Sequence, residues 1–458
     1  MHCISLPSSH LLLHSPPKTT LKLASHVSPR MFLNDSATNN NSGSTNGFSL
    51  IKNVSQLLWG ASLPPGILIS TVRTAWTSTW QIMMSQLAPS DPSGAYTRPP
   101  SKFRLNPTAA TTKLHLYVGL PCPWAHRTLI VRALKGLEEA VPVSVAGHGL
   151  DGSWEFKDVP DKDNDILVPT MDRVNRCRNL KEVYRLRKGG YDGRATVPML
   201  WDVEKKEVVC NESYDIIEFF NSGLNELAQH PGLDLSPLEL KEEIEEWNRV
   251  IYPNVNNGVY RCGFAQSQEA YDVAVSGLFS TLARIDDHLG SSRYLCGDRL
   301  TLADICLFTT LIRFDLVYNV LFKCTKKKLL EYTNLHAYMR DVYQIPKVAA
   351  TCNFLEIMDG YYRMLFPLNP GSIRPVMPSV CEHEFLCRPS EREAMSSNVQ
   401  CRTLSWSSML KGRAANHICW GVNSKGGQSY TERPYQLCYK DIAADSADGP
   451  PKLHQPPL

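Results

Sequence analysis

The spacing of apolar side chains predicts a βαβ unit that begins at residue 114. Apolar and more polar residues alternate over 114–118, as they do in a strand, and Gly119 and Pro121 then end the run. A helix is predicted over 125–137, since Pro123 suits a first helical position, and valines at every second position over 141–145 predict another strand. The three elements together indicate a parallel strand pair joined by a helix.

A second group of elements completes this domain. Strands are predicted over 196–201 and 207–210, and a helix is predicted from Ser213. The order βαβ followed by ββα is typical of a thioredoxin-like α/β domain with a mixed sheet. The charged interval 147–193 is long for a loop in this fold, and such loops are usually functional or mobile.

After a proline-containing linker over 231–237, the period changes to that of helices. Apolar residues recur with helical spacing over 240–251 and 278–289. Thr301 and Asp304 have the Thr-x-x-acid spacing of a capping box and open a strongly apolar helix, which we expect to be the core of an all-α domain.

These patterns divide the chain into five parts. We expect a transit peptide and linker over 1–45, an N-terminal extension over 46–107, the thioredoxin-like domain over 108–228, the all-helical domain over 238–378 and a tail over 379–458. The tail has no hydrophobic period and ends in Gly-Pro-Pro and Gln-Pro-Pro turns, so we expect it to be poorly ordered.

The first residues resemble an organelle transit peptide. Residues 1–30 contain no Asp or Glu, are rich in Ser, Thr and His, and carry Lys18, Lys22 and Arg30 as fixed charges. Further on, the apolar segment 57–87 either wraps over the main domain or forms an interfacial helix. The second alternative is disfavoured because the segment lacks a Lys/Arg-rich face. No membrane span is predicted, because no apolar run approaches ~18 residues.

Composition narrows the function classes. The 458 residues have a net charge of +3 and a mean hydropathy of −0.24, which are typical of a globular protein with a sizeable core. Lys326–Lys328 is the largest basic run, so nucleic-acid binding is not expected. The 14 cysteines lack paired spacing, which favours a reducing compartment. Cys381, His383 and Cys387 lack a fourth ligand at a suitable spacing, so no metal site is predicted.

Cys122 is the main candidate for chemistry. Pro123 suits the first helical position and places Cys122 at or near the N-cap, where backbone N–H groups and the helix dipole are expected to lower the thiol pKa from about 8.5 toward neutrality. A small buried cysteine beside a turn is the alternative. Ala125 stands where a redox pair has its second cysteine, so Cys122 would exchange with an external thiol such as glutathione. His126 is expected to be a solvated surface residue rather than its base.

Several strings resemble those of the glutathionyl-hydroquinone reductases, the Xi class of the glutathione transferase superfamily. The resemblance covers about residues 100–378, and the leader and the 57–87 segment look like those of plastid members. The strings are Cys122–Thr128, Gly193–Arg194 with Thr196–Pro198, Val255–Tyr260, Arg313–Asp315 with Val317–Tyr318, Phe322–Cys324 and Asn369–Pro370. The chain departs from the family at Leu321 and Gly360, where the family often has His.

The resemblance implies a glutathione site in the first domain. Val197 and Pro198 would offer backbone groups to the cysteinyl amide, with a cis bond at Pro198. Glu212 would face the γ-glutamyl ammonium, and Ser213 at the helix start would hold the γ-glutamyl carboxylate. Simple capping is the alternative role for the Glu-Ser pair, and both roles are compatible.

The resemblance also assigns residues whose chemistry alone would not single them out. Trp154 and Arg194 match further glutathione contacts, Arg194 as a charged donor to a carboxylate. Tyr260, Tyr361 and Tyr318 match tyrosines that the family places over the quinone, where a phenol stacks and donates a proton. For tyrosines on helices, packing in the core or rim is the alternative.

The implied reaction is the glutathione-dependent reduction of glutathionyl-hydroquinones. Cys122 would form a mixed disulfide with glutathione, and a second glutathione would release GSSG. Glutathione is then a co-substrate, no metal is needed, and the resemblance further implies a homodimer in the plastid stroma. Two alternatives stay open: an omega-like thioltransferase or dehydroascorbate reductase, against which the Val255–Tyr260 string and Tyr361 argue, and a non-catalytic binding module with the same fold.

Overall fold

A computed structural model describes residues 66–105, 113–149, 152–157 and 167–396. The chain divides into two compact units, residues 1–73 and 74–458. The packing reported below is that within the second unit. The predicted transit peptide and linker over 1–45, and the part of the predicted tail after residue 396, lie outside the described residues.

Helices and strands alternate first and helices alone follow. The strands are β1 (Leu114–Val118), β2 (Val143–Val145), β3 (Gly147–His148), β4 (Trp154–Glu155), β5 (Met199–Asp202) and β6 (Glu207–Cys210). The α-helices are α1 (Gly66–Leu87), α2 (Pro123–Lys135), α3 (Leu180–Arg185), α4 (Ser213–Glu218), α5 (Lys241–Ile251), α6 (Gly258–Gly263), α7 (Gln268–Leu289), α8 (Leu302–Leu311), α9 (Thr333–Tyr343), α10 (Phe354–Tyr362) and α11 (His383–Leu386). Wider π-helical turns extend three of the helical segments, at Phe219–Gly223, Tyr252–Asn256 and Phe314–Tyr318.

The first domain contains a four-stranded mixed sheet in the order β2-β1-β5-β6. Strand β1 is parallel to β2 and antiparallel to β5, which is antiparallel to β6. Leu116 of β1 pairs with Val143 on one side and Leu200 on the other. The predicted βαβ and ββα order, and with it the thioredoxin-like domain, is confirmed.

Strand β1 is buried on both faces. Its more polar residues are paired inside the protein: His115 hydrogen-bonds Ser144 at 2.8 Å, and Tyr117 donates to Asp172 at 2.8 Å. Asp172 belongs to the long interval after Gly147, which contains the β3–β4 hairpin and helix α3. The described part of the charged interval therefore contains ordered elements, and Asp172 bonds it to the sheet through Tyr117.

The second domain is helical, as predicted. Ile244, Trp247 and Ile251 form the buried face of α5. Every residue of α8 is buried, and the Thr301 backbone N–H donates to Asp304 Oδ2 at 2.8 Å in a capping box at its start. Because α8 packs against both α5 and α2, the predicted core helix also joins the two domains.

Helix α1 accounts for the later part of the predicted apolar segment 57–87. Trp80 Nε1 donates to the carbonyl of Pro367 at 3.1 Å, and Met84 is fully buried. Among the described helices, none combines the length and the apolar character needed to cross a bilayer. From Trp80 onward the helix lies against the folded unit, which is the first of the two alternatives.

The start of the predicted disordered tail is folded. We call residues 379–396 the clasp: Leu386 is buried, and Arg392 donates to the carbonyls of Leu289 at 2.9 Å, of Arg293 at 3.0 Å and of Ser292. The prediction of poor order is therefore wrong for these residues. Helices of about one turn are too short to show a hydrophobic period, while a single arginine can satisfy several carbonyls at the C-terminal end of α7.

Candidate functional site

Cys122 lies at the N-cap of α2, as predicted. Its backbone is extended (φ −73°, ψ 117°), Pro123 occupies the first turn, and the Cys122 carbonyl accepts from His126 N–H at 3.0 Å. The half-buried thiol donates to the carbonyl of Val197 at 3.5 Å. The Val197–Pro198 peptide is cis, as the resemblance implies, so the thiol faces the turn expected to bind glutathione.

The pKa of Cys122 moves opposite to the prediction. Burial raises the pKa of the thiol above its usual range, although the N–H groups of Ala125 and Trp124 and the charges of Arg98 and Arg313 act to lower it. The sequence indicates the helix end but not how deeply the thiol is enclosed. At neutral pH the side chain is therefore mainly a neutral thiol in the ligand-free protein.

Arg313 holds the loop that precedes Cys122 and was not among the predicted site residues. The fully buried guanidinium donates to the carbonyls of Pro121 at 3.1 Å, of Leu120 at 2.9 Å and of Thr309 at 2.8 Å. Since these partners are neutral, they leave the positive charge in place beside the thiol. Arg313 is the first residue of the Arg313–Asp315 string, and its presence in that string was the sequence signal that could have identified it.

His126 is a buried structural residue, so the expectation of a solvated surface side chain is wrong. Its Nδ1 lies 2.9 Å from Arg313 Nη1, and its Nε2 lies 2.8 Å from Thr351 Oγ1. Because the guanidinium can only donate, Nδ1 accepts and Nε2 carries the hydrogen. Burial and the charge of Arg313 lower the pKa of His126, so the ring stays neutral. It positions Arg313 and is not a base for Cys122.

The three predicted tyrosines form one hydrogen-bonded cluster. The hydroxyls of Tyr260 and Tyr361 are 2.6 Å apart, and those of Tyr318 and Tyr361 are 3.0 Å apart. Burial raises the pKa of each phenol, so all three stay protonated, and the charge of a Cys122 thiolate would raise those of Tyr260 and Tyr318 further. These two bonds use two phenolic hydrogens and leave a third that can be donated to a substrate.

Aromatic rings enclose this cluster. Phe322 stacks on Tyr318 with ring centroids 5.3 Å apart and meets Tyr260 and Tyr361 edge-on at 5.3 and 5.7 Å. Phe264 contacts both Tyr260 and Phe322. The result is an apolar wall with phenolic hydroxyls, which suits an aromatic ligand that carries hydroxyl groups.

Trp154 lies on β4 beside the cysteine loop. Its ring packs so closely on Gly119 that a Cβ there would lie 2.1 Å from the ring, and it stacks with His148 at a centroid distance of 4.2 Å. Gly360 stands directly before Tyr361, and a Cβ on it would lie 2.2 Å from Pro121 Cγ. Gly360, where the family often has His, therefore allows α10 to approach the cysteine loop more closely than a residue with a side chain would.

Glu212 and Ser213 lie at the start of α4, where Glu212 hydrogen-bonds polar groups of the helix and of the N-terminal extension. Glu212 is the N-cap and accepts from the Tyr214 N–H at 3.3 Å, so the capping role is present. Its other carboxylate oxygen accepts from the hydroxyl of Ser101 at 2.8 Å. The partner comes from the N-terminal extension, which sequence reasoning did not connect with the site.

We call residues 88–105 of this extension the strap. It is held on the helical domain by the Gln266 N–H, which donates to the Gly94 carbonyl at 2.9 Å, and on the first domain by Phe103, which exchanges hydrogen bonds with Asn211. Between these anchors, the Arg98 guanidinium lies 4.1 Å from the Trp124 ring centroid. The strap thus places a positive charge on the ring of Trp124, and this charge acts on the Cys122 thiol.

Arg194 lies near the strap rather than in the thiol pocket. Its side chain is exposed, and its charge acts on Tyr96 together with that of Arg98. Tyr96 packs edge-on against Phe264, with centroids 5.4 Å apart. The site therefore has a basic rim formed by a strap residue and by the predicted glutathione contact.

Metal-ligand groups do not assemble within the part of the chain that the structure describes: no three His, Cys, Asp or Glu side chains come together. His383 hydrogen-bonds the Tyr343 hydroxyl at 2.7 Å and lies 3.5 Å from the Cys387 thiol, whereas Cys381 is buried.

Two family models match this architecture. The model of the glutathione S-transferase N-terminal domain matches residues 121–222, and that of the C-terminal domain matches residues 268–341. The first match begins at the cysteine loop and includes the cis peptide and Glu212. The fold and the site thus define a two-domain glutathione transferase.

Curated relatives narrow the class. Glutathionyl-hydroquinone reductase YqjG of Escherichia coli (strain K12) is 45% identical over 271 residues, covering 59% of this chain and 80% of the relative. Glutathionyl-hydroquinone reductase PcpF of Sphingobium chlorophenolicum is 39% identical over 319 residues, covering 69% and 96%. The chain belongs to the Xi-class, glutathionyl-hydroquinone reductase family of glutathione transferases. Glutathione S-transferase omega-like 2 of Schizosaccharomyces pombe is 40% identical over 275 residues, covering 58% and 85%.

Solved structures agree with this assignment. The Xi glutathione S-transferase of Phanerochaete chrysosporium superposes with a TM-score of 0.60 at 39% identity, covering 64% of this chain and 95% of that chain. The glutathione-bound structure of YqjG from E. coli K-12 gives a TM-score of 0.58 at 42% identity, covering 66% and 94%.

Proposed function

We propose that this chain reduces glutathionyl-hydroquinones to hydroquinones with glutathione as co-substrate. The Cys122 thiolate attacks the glutathione sulfur of the conjugate, and the electron pair of the carbon–sulfur bond passes to the ring carbon, which takes up a proton. The ring is thereby reduced, and the two sulfurs are oxidised to a Cys122–glutathione mixed disulfide. A second glutathione thiolate then attacks this disulfide, releases GSSG and restores Cys122.

The observation that carries the proposal is the pairing of this thiol with protonated phenols. A carbon leaving group departs only when it is protonated, so the reaction needs an acid next to an aromatic pocket. Tyr260 and Tyr361, whose hydroxyls are 2.6 Å apart, offer that proton, and Tyr318 supports Tyr361 at 3.0 Å. A disulfide reductase has no such need, because sulfur leaves as a stable thiolate.

Glutathione would lie along the first domain. The backbone of Val197 and Pro198 pairs with its cysteinyl amide and directs its sulfur to Cys122, whose thiol already contacts the Val197 carbonyl at 3.5 Å. Glu212 receives the γ-glutamyl ammonium and Ser213 the γ-glutamyl carboxylate. Trp154 packs on the peptide, and Arg194 pairs with a carboxylate at the rim.

Turnover of glutathionyl-menadiol by the full chain tests the proposal, with GSSG and free hydroquinone both followed. We expect Cys122→Ser to abolish turnover. Cys177→Ser, which removes another half-buried thiol outside the site, should leave it within twofold of the original protein. Tyr260→Phe should lower turnover of the conjugate by about tenfold or more, the usual scale for a lost acid. A folded protein that binds glutathione and turns over no conjugate contradicts the proposal.

A second candidate is an omega-like thioltransferase or dehydroascorbate reductase. The omega-like name of the S. pombe relative, at 40% identity, supports it. It needs Cys122 but no ring protonation, so Tyr260→Phe would leave its turnover unchanged. Turnover restricted to mixed disulfides or dehydroascorbate favours this candidate, whereas glutathione binding with no turnover of any of these substrates favours a non-catalytic binding module.

Two further proposals concern the setting of the protein. The acid-free leader supports import into the plastid stroma, which a fluorescent fusion to residues 1–107 tests in plant cells. The family resemblance supports a homodimer, which the light-scattering mass of the full chain tests. A cytosolic fusion or a monomeric mass contradicts the respective proposal.

A further inference from the structure

His148 is a half-buried histidine with two enclosed ring nitrogens that make no hydrogen bond to the described residues. Within the described residues, neither Nδ1 nor Nε2 has a hydrogen-bond partner, although both atoms are shielded from solvent. The buried histidines of the first domain are paired: His115 with Ser144 and His126 with Thr351, each at 2.8 Å. An unpaired buried polar group costs about 1–3 kcal/mol, and no side chain or backbone group among the described residues offsets that cost for His148.

The ring lies between the two halves of the site. It stacks on Trp154 with centroids 4.2 Å apart and an interplanar angle of 32°. Its Nε2 is 3.0 Å from the point that a Cβ on Gly360 would occupy, and Pro121, directly before Cys122, borders the same point. His148 is thus close both to the cysteine loop and to the helix that carries Tyr361.

The state of the ring suits a neutral, hydroxylated ligand. Burial lowers the pKa of His148 to about 4, so the imidazole is uncharged at physiological pH. A neutral imidazole accepts at one nitrogen and donates at the other. A hydroquinone hydroxyl also does both, whereas a carboxylate can only accept and an ammonium can only donate.

We propose that His148 binds a ring hydroxyl of the hydroquinone moiety and so helps to select glutathionylated hydroquinones. The inference rests on the proposed function and adds a determinant outside the tyrosine cluster. A hydroxyl bound here would leave the hydrogen of the tyrosine cluster free for the ring carbon. The competing explanation is that His148 only packs on Trp154, which a phenyl ring would do equally well.

A double-mutant cycle between side chain and ligand tests the inference. Dissociation constants are measured in full-length Cys122→Ser protein, which cannot react, for glutathionyl-menadiol and for its dimethyl ether. We expect methylation to weaken binding, because a methoxy group cannot donate. In His148→Phe, which keeps the stacking, the methylation penalty should fall about fivefold to tenfold, the usual worth of one hydrogen bond.

Two further variants keep the test decisive. His148→Gln retains a donor and an acceptor and should keep most of the methylation penalty. His115→Phe, at a buried histidine that already has a partner, should keep the whole penalty and lower the melting temperature, whereas His148→Phe should not lower it. An equal methylation penalty with His148 and with Phe at this position overturns the inference.

Failure of the proposed function would give a different result. If the original full chain does not turn over glutathionyl-menadiol, the proposed function is wrong, and this inference with it. If the chain turns over the conjugate but the cycle shows no coupling, the function stands and His148 is a packing residue.

Discussion

The strap and the clasp are both extensions of the two-domain core, yet they serve different parts of it. The strap places Arg98 beside Trp124 and Ser101 on Glu212, so its contacts reach the thiol and the expected glutathione site. The clasp places Arg392 on backbone carbonyls at the end of α7. Its serines, Ser390 and Ser396, also hydrogen-bond the buried ion pair of Asp341 and Arg293, whose charged atoms are 2.8 Å apart.

The comparison shows that an arginine in an extension can serve reactivity or stability, depending on the groups that it contacts. Both extensions use an arginine against groups of the core. Arg98 raises the local positive potential where a thiolate forms, whereas Arg392 satisfies carbonyls that would otherwise need water. Changes in the strap should therefore alter reactivity more than stability, and changes in the clasp the reverse.

Removing the clasp should have the largest effect. Truncation after Pro378 deletes the buried Leu386, removes Arg392 and opens the Arg293–Asp341 pair to water. We expect the free energy of unfolding to fall by about 3–5 kcal/mol, as for loss of a well-packed core residue. Truncation after Ser396 is the matched control and should leave denaturant unfolding unchanged. Equal stability of the two truncated proteins would show that the clasp contributes nothing.

Neutralising the strap arginine should have the next largest effect, on activity. Arg98→Met keeps an apolar chain against Trp124 but removes the charge that favours the thiolate. We expect turnover at pH 7.5 to fall about tenfold, because without this charge the pKa of Cys122 rises further and less thiolate forms, with little change in melting temperature. Arg104→Met, which breaks an exposed ion pair with Asp215, should leave turnover within twofold. Equal losses in both variants would refute the special role of Arg98.

The pH dependence of Cys122 reactivity sharpens the comparison. Because burial raises the thiol pKa, the neutral form persists to higher pH. Alkylation by iodoacetamide should therefore be several-fold slower than that of free cysteine at pH 8, and its rate should still rise at pH values where that of free cysteine has levelled off. Mass spectrometry of the Cys122 peptide measures this rate. Arg98→Met should shift the profile further toward high pH, and truncation after Pro378 should not shift it. A profile that levels off near pH 7 contradicts the raised pKa.

The smallest effect is expected at Ser101. Ser101→Ala removes the 2.8 Å hydrogen bond that orients the Glu212 carboxylate. The loss of about 1 kcal/mol should weaken glutathione binding no more than about fivefold, as measured by calorimetry. Ser93→Ala, elsewhere in the strap, should not change the dissociation constant. Unchanged affinity in Ser101→Ala would indicate that Glu212 is held well enough by its capping bond.

Local sequence patterns were sufficient to predict the helices and strands of the first domain and the position of the Cys122 thiol at a helix start. Strand β1 has the predicted bounds, and Cys122 is the N-cap, because strand alternation and Pro123 act over a few residues. The resemblance added the cis peptide at Pro198 and the tyrosines, which the structure brings into contact from segments about a hundred residues apart.

The remaining parts depend on contacts between distant segments. Arg313 reaches a carbonyl 192 positions away, and Arg98 belongs to an extension that shows no catalytic motif. The direction of the Cys122 pKa depends on enclosure by both domains, which a helix-end argument does not include. His126 and His148 have the same residue type and opposite surroundings, one fully paired and the other without a partner among the described residues.

The bonds from Arg313 to the cysteine loop have a consequence for how such proteins can be recombined. The thiol belongs to one domain, but the cation that fixes its loop comes from the other, through carbonyls of Leu120 and Pro121. Consider a chimera that joins this first domain to the helical domain of another transferase. It needs an arginine at the position equivalent to Arg313, because otherwise the loop before the reactive cysteine loses its hydrogen-bond donor. The two domains therefore depend on each other for the geometry of the cysteine loop, even though each has its own fold.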